Sequence, residues 1–442
     1  MIRFPKFQFP IPNSRAVYEQ YRQLSALALK MQTQGLHIDG AAVAKHEKDA
    51  TARMKRFRAL FTQLTGISEL GKDGQSKAIR DWFWTTKGLP QVSLHKKKRT
   101  PKLDIDALLY YLTDIDDETV NKAAGALIGY RKAAKSLSML AAYHVRKIHP
   151  GWNASGPKGS RWSCNGPNLQ QLPSHTVKYD FGNGPEIVAA SLKDIIIPAP
   201  GMMFVGSDYS ALEVYLQAYI SGDDLTLEWI SKGEDLHINN ARIFFGEKEV
   251  PLTATKKTHK LFREVGKLGF GFSYCVSESV RTTQKQMNKK IPGITEEWTV
   301  AARTRYFSAH PKLPEWQAKS VKQIETNGYG EIGLMKRHLW LEASTRGFNQ
   351  YMNAQCQTLG GDMVNEAMLK VDANPEFSKD SYLAVTWHDS IIAEVPNDPS
   401  RIAECAEIIT SAMKGPFKVN GLDAYFVAEA DMGPNLLDMI AL

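Results

Sequence analysis

The chain of 442 residues has no uninterrupted apolar run of the roughly 18 residues that a membrane-spanning helix requires, so no membrane partner is expected. Its opening stretch, MIRFPKFQFPIPNSR, is broken by prolines and lacks the apolar core of a secretory signal. Cysteine is scarce: Cys164, Cys275, Cys356 and Cys405 are far apart, in neither a zinc-ligand nor a disulfide pattern. That usage points to a reducing compartment and a cytoplasmic location. Internal repeats and low-complexity tracts are absent, which excludes solenoids and disordered linkers. Acidic residues are outnumbered 47 to 55 by Lys and Arg, and the net charge of +8 admits a polyanionic partner.

At this length two or three subdomains are expected. Helical periodicity dominates the first third. Tyr18, Tyr21, Leu24, Leu27 and Met31 share one helix face that stops at Gly35. A second helix, from about 39 to 64, carries Met54, Phe57, Leu60, Phe61 and Leu64 inward and ends at Gly66. Short helices follow to about Arg146, and Lys96-Lys97-Lys98-Arg99 reads as a basic loop able to meet phosphate. Residues 150–205 are rich in Gly, Pro and Asn, with β-type runs such as Ile195-Ile196-Ile197. Helical spacing returns from about Ser210 to Trp340. A long helix from about Phe348 to Val371, a hairpin, and a last strand near 424–427 close the chain. The order implies an α+β fold: a β platform interrupted by a helical insertion.

Two aspartates stand at the ends of predicted strands. Asp208 closes Met202-Met203-Phe204-Val205-Gly206-Ser207, and Asp389 follows Leu383-Ala384-Val385-Thr386-Trp387-His388. Brought together, two such carboxylates can hold a pair of divalent cations about 3.5–4 Å apart, the arrangement that clamps an in-line phosphoryl displacement. Between them, Arg263, Lys267, Phe270 and Tyr274 recur at offsets of four, three and four, one stripe of a helix. Two cations followed by two rings suit a nucleoside triphosphate. Gly266, Gly269 and Gly271 in so short a helix each cost up to about 1 kcal/mol relative to alanine, which implies mobility or a close backbone approach.

These landmarks carry a resemblance to the polymerase region of family A DNA polymerases, the group containing bacterial DNA polymerase I. They run in the family's order: Gly159-Ser160-Arg161 with Pro167-Asn168-Leu169-Gln170, Asp208-Tyr209-Ser210 with Glu213, and Asp235-Leu236-His237. The Arg263/Lys267/Tyr274 helix, Asn353 with Gln357, and His388-Asp389 complete the series, which covers the chain from about Tyr18 onward.

The resemblance implies a right-hand polymerase fold: an antiparallel β palm with helical fingers and a helical thumb. Its divisions would be a tail (1–17), a palm-associated helix and thumb (18–146), palm (147–223), fingers (224–340) and palm again (341–442). It implies two Mg²⁺ ions, replaceable by Mn²⁺, on Asp208, Asp389 and the Tyr209 carbonyl. Arg263, Lys267 and His237 would grip the triphosphate of a dNTP, with Lys267 protonating the pyrophosphate. Glu213 would reject a 2′-hydroxyl, while Phe270 and Tyr274 would bound the base pair. Arg161, Asn168, Gln170, Asn353, Gln357 and His388 would bond primer–template DNA, chiefly at minor-groove acceptors common to every correct pair. The protein is expected to act as a monomer. Only about seventeen residues precede the resemblance, so no proofreading exonuclease domain is expected here; a separate exonuclease or processivity factor would be a partner.

Departures from the family's pattern accompany it. The lysine-to-aromatic spacing is three rather than four, leaving Phe270 and Gly271 as alternatives at the nucleotide. Cys275 replaces a glycine, Ser390 a glutamate and Asn349 an arginine, which suggests a divergent, phage- or plasmid-type member. Two other readings compete: a polymerase of the same architecture that makes or copies RNA, against which Glu213 argues, and a silent nucleic-acid-binding relative, against which the retained aspartates argue.

Overall fold

The computed structural model describes residues 14–95, 100–154, 160–180, 184–276 and 280–442. The basic cluster 96–99 and Gly159 of the Gly159-Ser160-Arg161 landmark lie outside the described residues. Helix α1 (Ser14–Gln34) buries Leu24, Leu27 and Met31 as its periodicity predicts. Tyr18 is instead 66% exposed, because contact with the central core begins only one turn later, at Tyr21.

Helix α2 (Gly40–Thr65) starts where the Asp39 carboxylate accepts from the Ala41 and Ala42 amides, and it ends at Gly66, whose φ is 75°. Both are the capping chemistry expected of those residue types. Phe57 and Phe61 are its buried anchors. The region expected to hold only short helices contains α3 (Glu118–Leu140), continuous over 23 residues. Its buried face is mostly small: Ala123, Ala124, Ala126, Gly129 and Ala133. Small residues blur an amphipathic signal, yet they let α2 approach closely; a Cβ on Gly129 would lie 2.5 Å from the Phe57 ring.

The platform follows. Strand β1 (Met202–Tyr209) leads into α4 (Leu212–Ser221), then α5 (Leu236–Phe245) and α6 (Lys260–Gly269). After the helical insertion come α7 (Thr345–Ala373), β2 (Tyr382–Trp387), β3 (Ser390–Pro396), α8 (Pro399–Lys414), β4 (Ala428–Gly433) and β5 (Ile440–Ala441). The five strands form one antiparallel sheet in the order β2-β3-β1-β4-β5. The strand flanking β1 is therefore 428–433, not 424–427. Residues 425–427 alternate in burial as a strand would, but they only cross from a short hairpin into the sheet.

Helix α8 packs on β1, β3 and β4, with α7 against α8. The Tyr209 hydroxyl donates to the Met413 carbonyl at 2.8 Å and ties sheet to helix on that face. The opposite face is closed around Phe204 and opens at the Asp208 end. The insertion has its own core, in which Phe244, Val265, Phe272, Tyr306 and Trp316 cluster. This mixed architecture with an antiparallel sheet is the one the residues implied.

Candidate active site

Register brings the two aspartates together. Ser390 pairs with Asp208 across β3 and β1, and Trp387 pairs with Ser390 across the β2–β3 hairpin. His388 and Asp389 are thus the two-residue turn, one step beyond the Ser390–Asp208 pair. His388 adopts φ 58°, the left-handed geometry that such tight turns demand. Both aspartates line a cleft of about 640 Å³, together with Glu213, His237, Lys267, Phe270, Trp387, His388, Ser390, Lys193, Ser174 and His175.

The Asp208 side chain is open to the cleft, but the protein surrounding the cleft floor strips away much of its water. That desolvation, and then the charge of Asp389, push its pKa up to about 6. Asp389 is braced by Arg161, whose Nη2 donates to Oδ1 at 3.1 Å and lies 4.0 Å from Glu213. Glu213 accepts a hydrogen bond from Gln357 Nε2. Arg161, Glu213, Gln357 and Asp389 are thereby linked across four separate segments.

The cation-and-ring stripe is not a single helix. α6 ends at Gly269, and Phe270–Tyr274 continue as a tighter 3₁₀ turn. The change of pitch swings the aromatic pair relative to the cations. Lys267 and Phe270 line the cleft, whereas Gly271 is exposed and does not. Tyr274 sits half-buried behind Phe270, ring edge to ring face with centroids 5.0 Å apart. Arg263 turns from the cleft lining to Asp235, its Nε donating to Oδ2 at 2.7 Å. Two glycines answer to close packing: a Cβ on Gly266 would lie 2.1 Å from the His237 carbonyl, and one on Gly269 2.0 Å from the Phe244 ring. Gly271 meets nothing.

His237 is buried on α5 rather than solvated. Burial, and then the Arg263 charge, lower its pKa to about 4, so it is neutral near pH 7. Its Nδ1 is buried with no protein partner, at the edge of the cleft.

Asn168, Gln170 and Asn353 sit outside the cleft lining, as do Arg161 and Gln357. The Asn168 side chain caps a short turn by accepting from the Gln170 amide at 3.1 Å. Gln170 donates to the Trp162 carbonyl at 3.0 Å, so the pair shapes the loop that carries Arg161. Asn353 is exposed on α7, one turn before Gln357. Asn349 accepts from the Val276 amide at 2.9 Å, fastening the segment just after the 3₁₀ turn to α7.

Sequence reasoning missed Lys193, Trp387 and Asp431. Asp431 lies on β4, opposite Gly206. A lone lysine and a late aspartate carry no local pattern; only sheet register places them here. Among the described residues no group of three or more His, Cys, Asp or Glu is disposed to hold a metal by itself.

With this geometry in hand, comparison with known proteins is decisive: the family model for DNA polymerase family A matches residues 41–438. The chain belongs to DNA polymerase family A. As a family A chain it is 24% identical over 416 residues to the thermostable DNA polymerase I of Thermus aquaticus, covering 90% of this chain and 46% of that protein. It is 22% identical over 405 residues to DNA polymerase I of Bacillus subtilis, covering 88% of this chain and 42% of that one. The chain therefore spans about half the length of these relatives. In fold it is similar to the POL domain of Pol1 from M. smegmatis, solved in complex with DNA primer-template and dNTP. The TM-score is 0.75 at 19% identity, with 94% of this chain and 70% of that chain covered.

Proposed function

We propose that this chain is a template-directed, DNA-dependent DNA polymerase that extends a primer 3′ end with dNTPs by a two-metal-ion mechanism. The observation that carries the reading is the convergence of Asp208 and Asp389 on one cleft that also holds Lys267, in a family A chain. In this reading the palm is 147–223 and 341–442, the fingers 224–340, and 18–146 a palm-associated helix and thumb. The insertion has its own core, the residues from Phe57 to Ile128 form another, and α1 packs into the core of the sheet as a palm-associated helix would, which supports that division.

The donor set fits Mg²⁺. Two neighbouring carboxylates concentrate negative charge; burial first, and then the charge of Asp389, push the Asp208 pKa up to about 6. Mg²⁺ is characteristically held by one or two carboxylates plus substrate phosphates rather than by an all-protein cage. Asp208, Asp389 and the Tyr209 carbonyl would hold the ions, with Mn²⁺ able to substitute. When bound, such ions acidify the attacking hydroxyl and neutralise charge developing on the phosphorus.

The protein groups divide the remaining work. Lys267 faces the cleft and would meet the triphosphate and hand a proton to the departing pyrophosphate. Arg263, steadied by Asp235, would turn its outer guanidinium nitrogens to the same phosphates. Neutral His237 would complete its unfilled hydrogen-bonding capacity on a phosphate oxygen. Phe270 would stack under the incoming base or sugar, with Tyr274 behind it. Glu213, fixed by Gln357, would stand where a 2′-hydroxyl would otherwise enter. Arg161, Gln357 and His388 would reach primer–template directly; Asn168 and Gln170 would act by shaping the Arg161 loop, and Asn353 from the exposed face of α7.

Extension of a labelled primer on a defined template tests the reading. Asp389→Ala should abolish extension while leaving primer–template binding largely intact. A wild-type chain that extends no primer with Mg²⁺ or Mn²⁺ would overturn it.

A further inference from the structure

We propose that Lys193 is a resident counter-charge of the Asp208–Asp389 cleft, steadied by Trp387 and Asp431, that limits how tightly divalent cations bind there. The inference rests on the two aspartates being cation ligands. Lys193 opens a single 3₁₀ turn, Lys193–Ile195, and lines the same cleft as both aspartates. Its Nζ lies 4.0 Å from the centroid of the Trp387 ring, the last residue of β2 before the His388–Asp389 turn. A cation over an indole face at that distance is attracted by the ring quadrupole. The turn that presents Asp389 and the ring that seats Lys193 are therefore adjacent in the chain.

Asp431 is a second charged neighbour. Glu429 pairs with Asp208 and Asp431 with Gly206, so by the two-residue period of a strand Asp431 faces the same side of the sheet as Asp208. Gly206 leaves room for it: a Cβ there would lie 2.7 Å from Asp431 Oδ1. The charge of Lys193 acts on both Asp208 and Asp431, and theirs on it. The adjacent Asp194 does not compete, because His46 Nε2 holds it at 2.7 Å. Lys193 thus faces an acidic cleft while partly stripped of water. Each divalent cation entering must be accommodated beside a fixed positive charge, whose repulsion a low-dielectric cleft screens poorly. Ser390, across from Asp208 on β3, adds no acid to offset it, although Glu429 stands across from Asp208 on β4.

The test is Mn²⁺ binding to the full chain without DNA or nucleotide, read from the electron paramagnetic resonance signal of free Mn²⁺. Lys193→Met keeps the stem on Trp387 and removes the charge; it should bind Mn²⁺ roughly tenfold more tightly. Lys193→Arg should bind as wild type does, and if Lys193→Met does not fold, Lys193→Gln carries the same test. Asp431→Asn should weaken binding in the wild type and weaken it less in a Lys193→Met background, because part of its effect passes through Lys193. Unchanged or weaker binding in the charge-removing variant, while Asp208→Asn still lowers Mn²⁺ affinity, overturns the Lys193 proposal alone. Equal effects of Asp431→Asn in both backgrounds overturn the role given to Asp431. Wild-type binding that neither Asp208→Asn nor Asp389→Asn alters would remove the cation reading beneath it as well.

Discussion

Ser390 lies directly across the sheet from Asp208, and that one pairing sets the geometry of the cleft. It places the β2–β3 turn beside the end of β1, so Asp389 arrives next to Asp208 although 181 positions (389 − 208) separate them in the chain. A slip of one residue would turn Asp208 to the opposite face. Lengthening the turn by one glycine, which retains every side chain, should therefore reduce extension activity by about 10³-fold or more. Rapid-quench primer extension would measure it, and retained activity would show that register is not what matters.

The raised pKa of Asp208 makes a signed prediction for stability. Its charged form is disfavoured in the folded chain, so the resulting destabilisation is absent below an ordinary carboxylate pKa of about 4. It grows as pH climbs toward 6 and is complete above. In chelator, Asp208→Asn should raise the thermal midpoint at pH 7.5, and the gain should disappear near pH 4. Scanning fluorimetry across that range is the check. A gain of equal size at both ends would assign it to packing instead.

Glu213 is held by Gln357 with Arg161 nearby. In the proposed reading its carboxylate fills the space beneath the sugar. Glu213→Ala should lower discrimination between dNTP and NTP by at least tenfold, about 1.4 kcal/mol. Single-nucleotide insertion with each sugar gives the ratio; an unaltered ratio would place the sugar check elsewhere.

Two glycines of the 266–271 stretch should respond oppositely to alanine. Gly266→Ala drives a methyl into the His237 carbonyl and the Ala241 amide, and overpacking of this kind costs about 1–3 kcal/mol. Gly271→Ala meets open space and should be neutral or mildly stabilising. Chemical denaturation of the two variants would separate close packing from a need for flexibility as the reason for these glycines.

What the linear chain made legible was local. The extent of α2 from about 39 to Gly66, the apolar stripe of α1 and the strand ending at Asp208 follow from short-range hydrogen bonding and side-chain periodicity. The candidate site residues could be named because they form an ordered series of short strings. Where local chemistry was ambiguous, the reading slipped: α3 hid behind small residues, and the change of pitch at Phe270 broke a stripe that offsets alone had drawn as continuous.

Other features were settled only in three dimensions. The pairing of Arg263 with Asp235 and the burial of His237 depend on neighbours distant in the chain. So does the meeting of Lys193, Trp387 and Asp431 beside Asp208. Residue order by itself determined which carboxylates and cations the protein owns and which strands would carry them. Tertiary structure decided which charges share a low-dielectric cleft, because Coulomb energy depends on distance and solvent exclusion, and neither is encoded by any single segment.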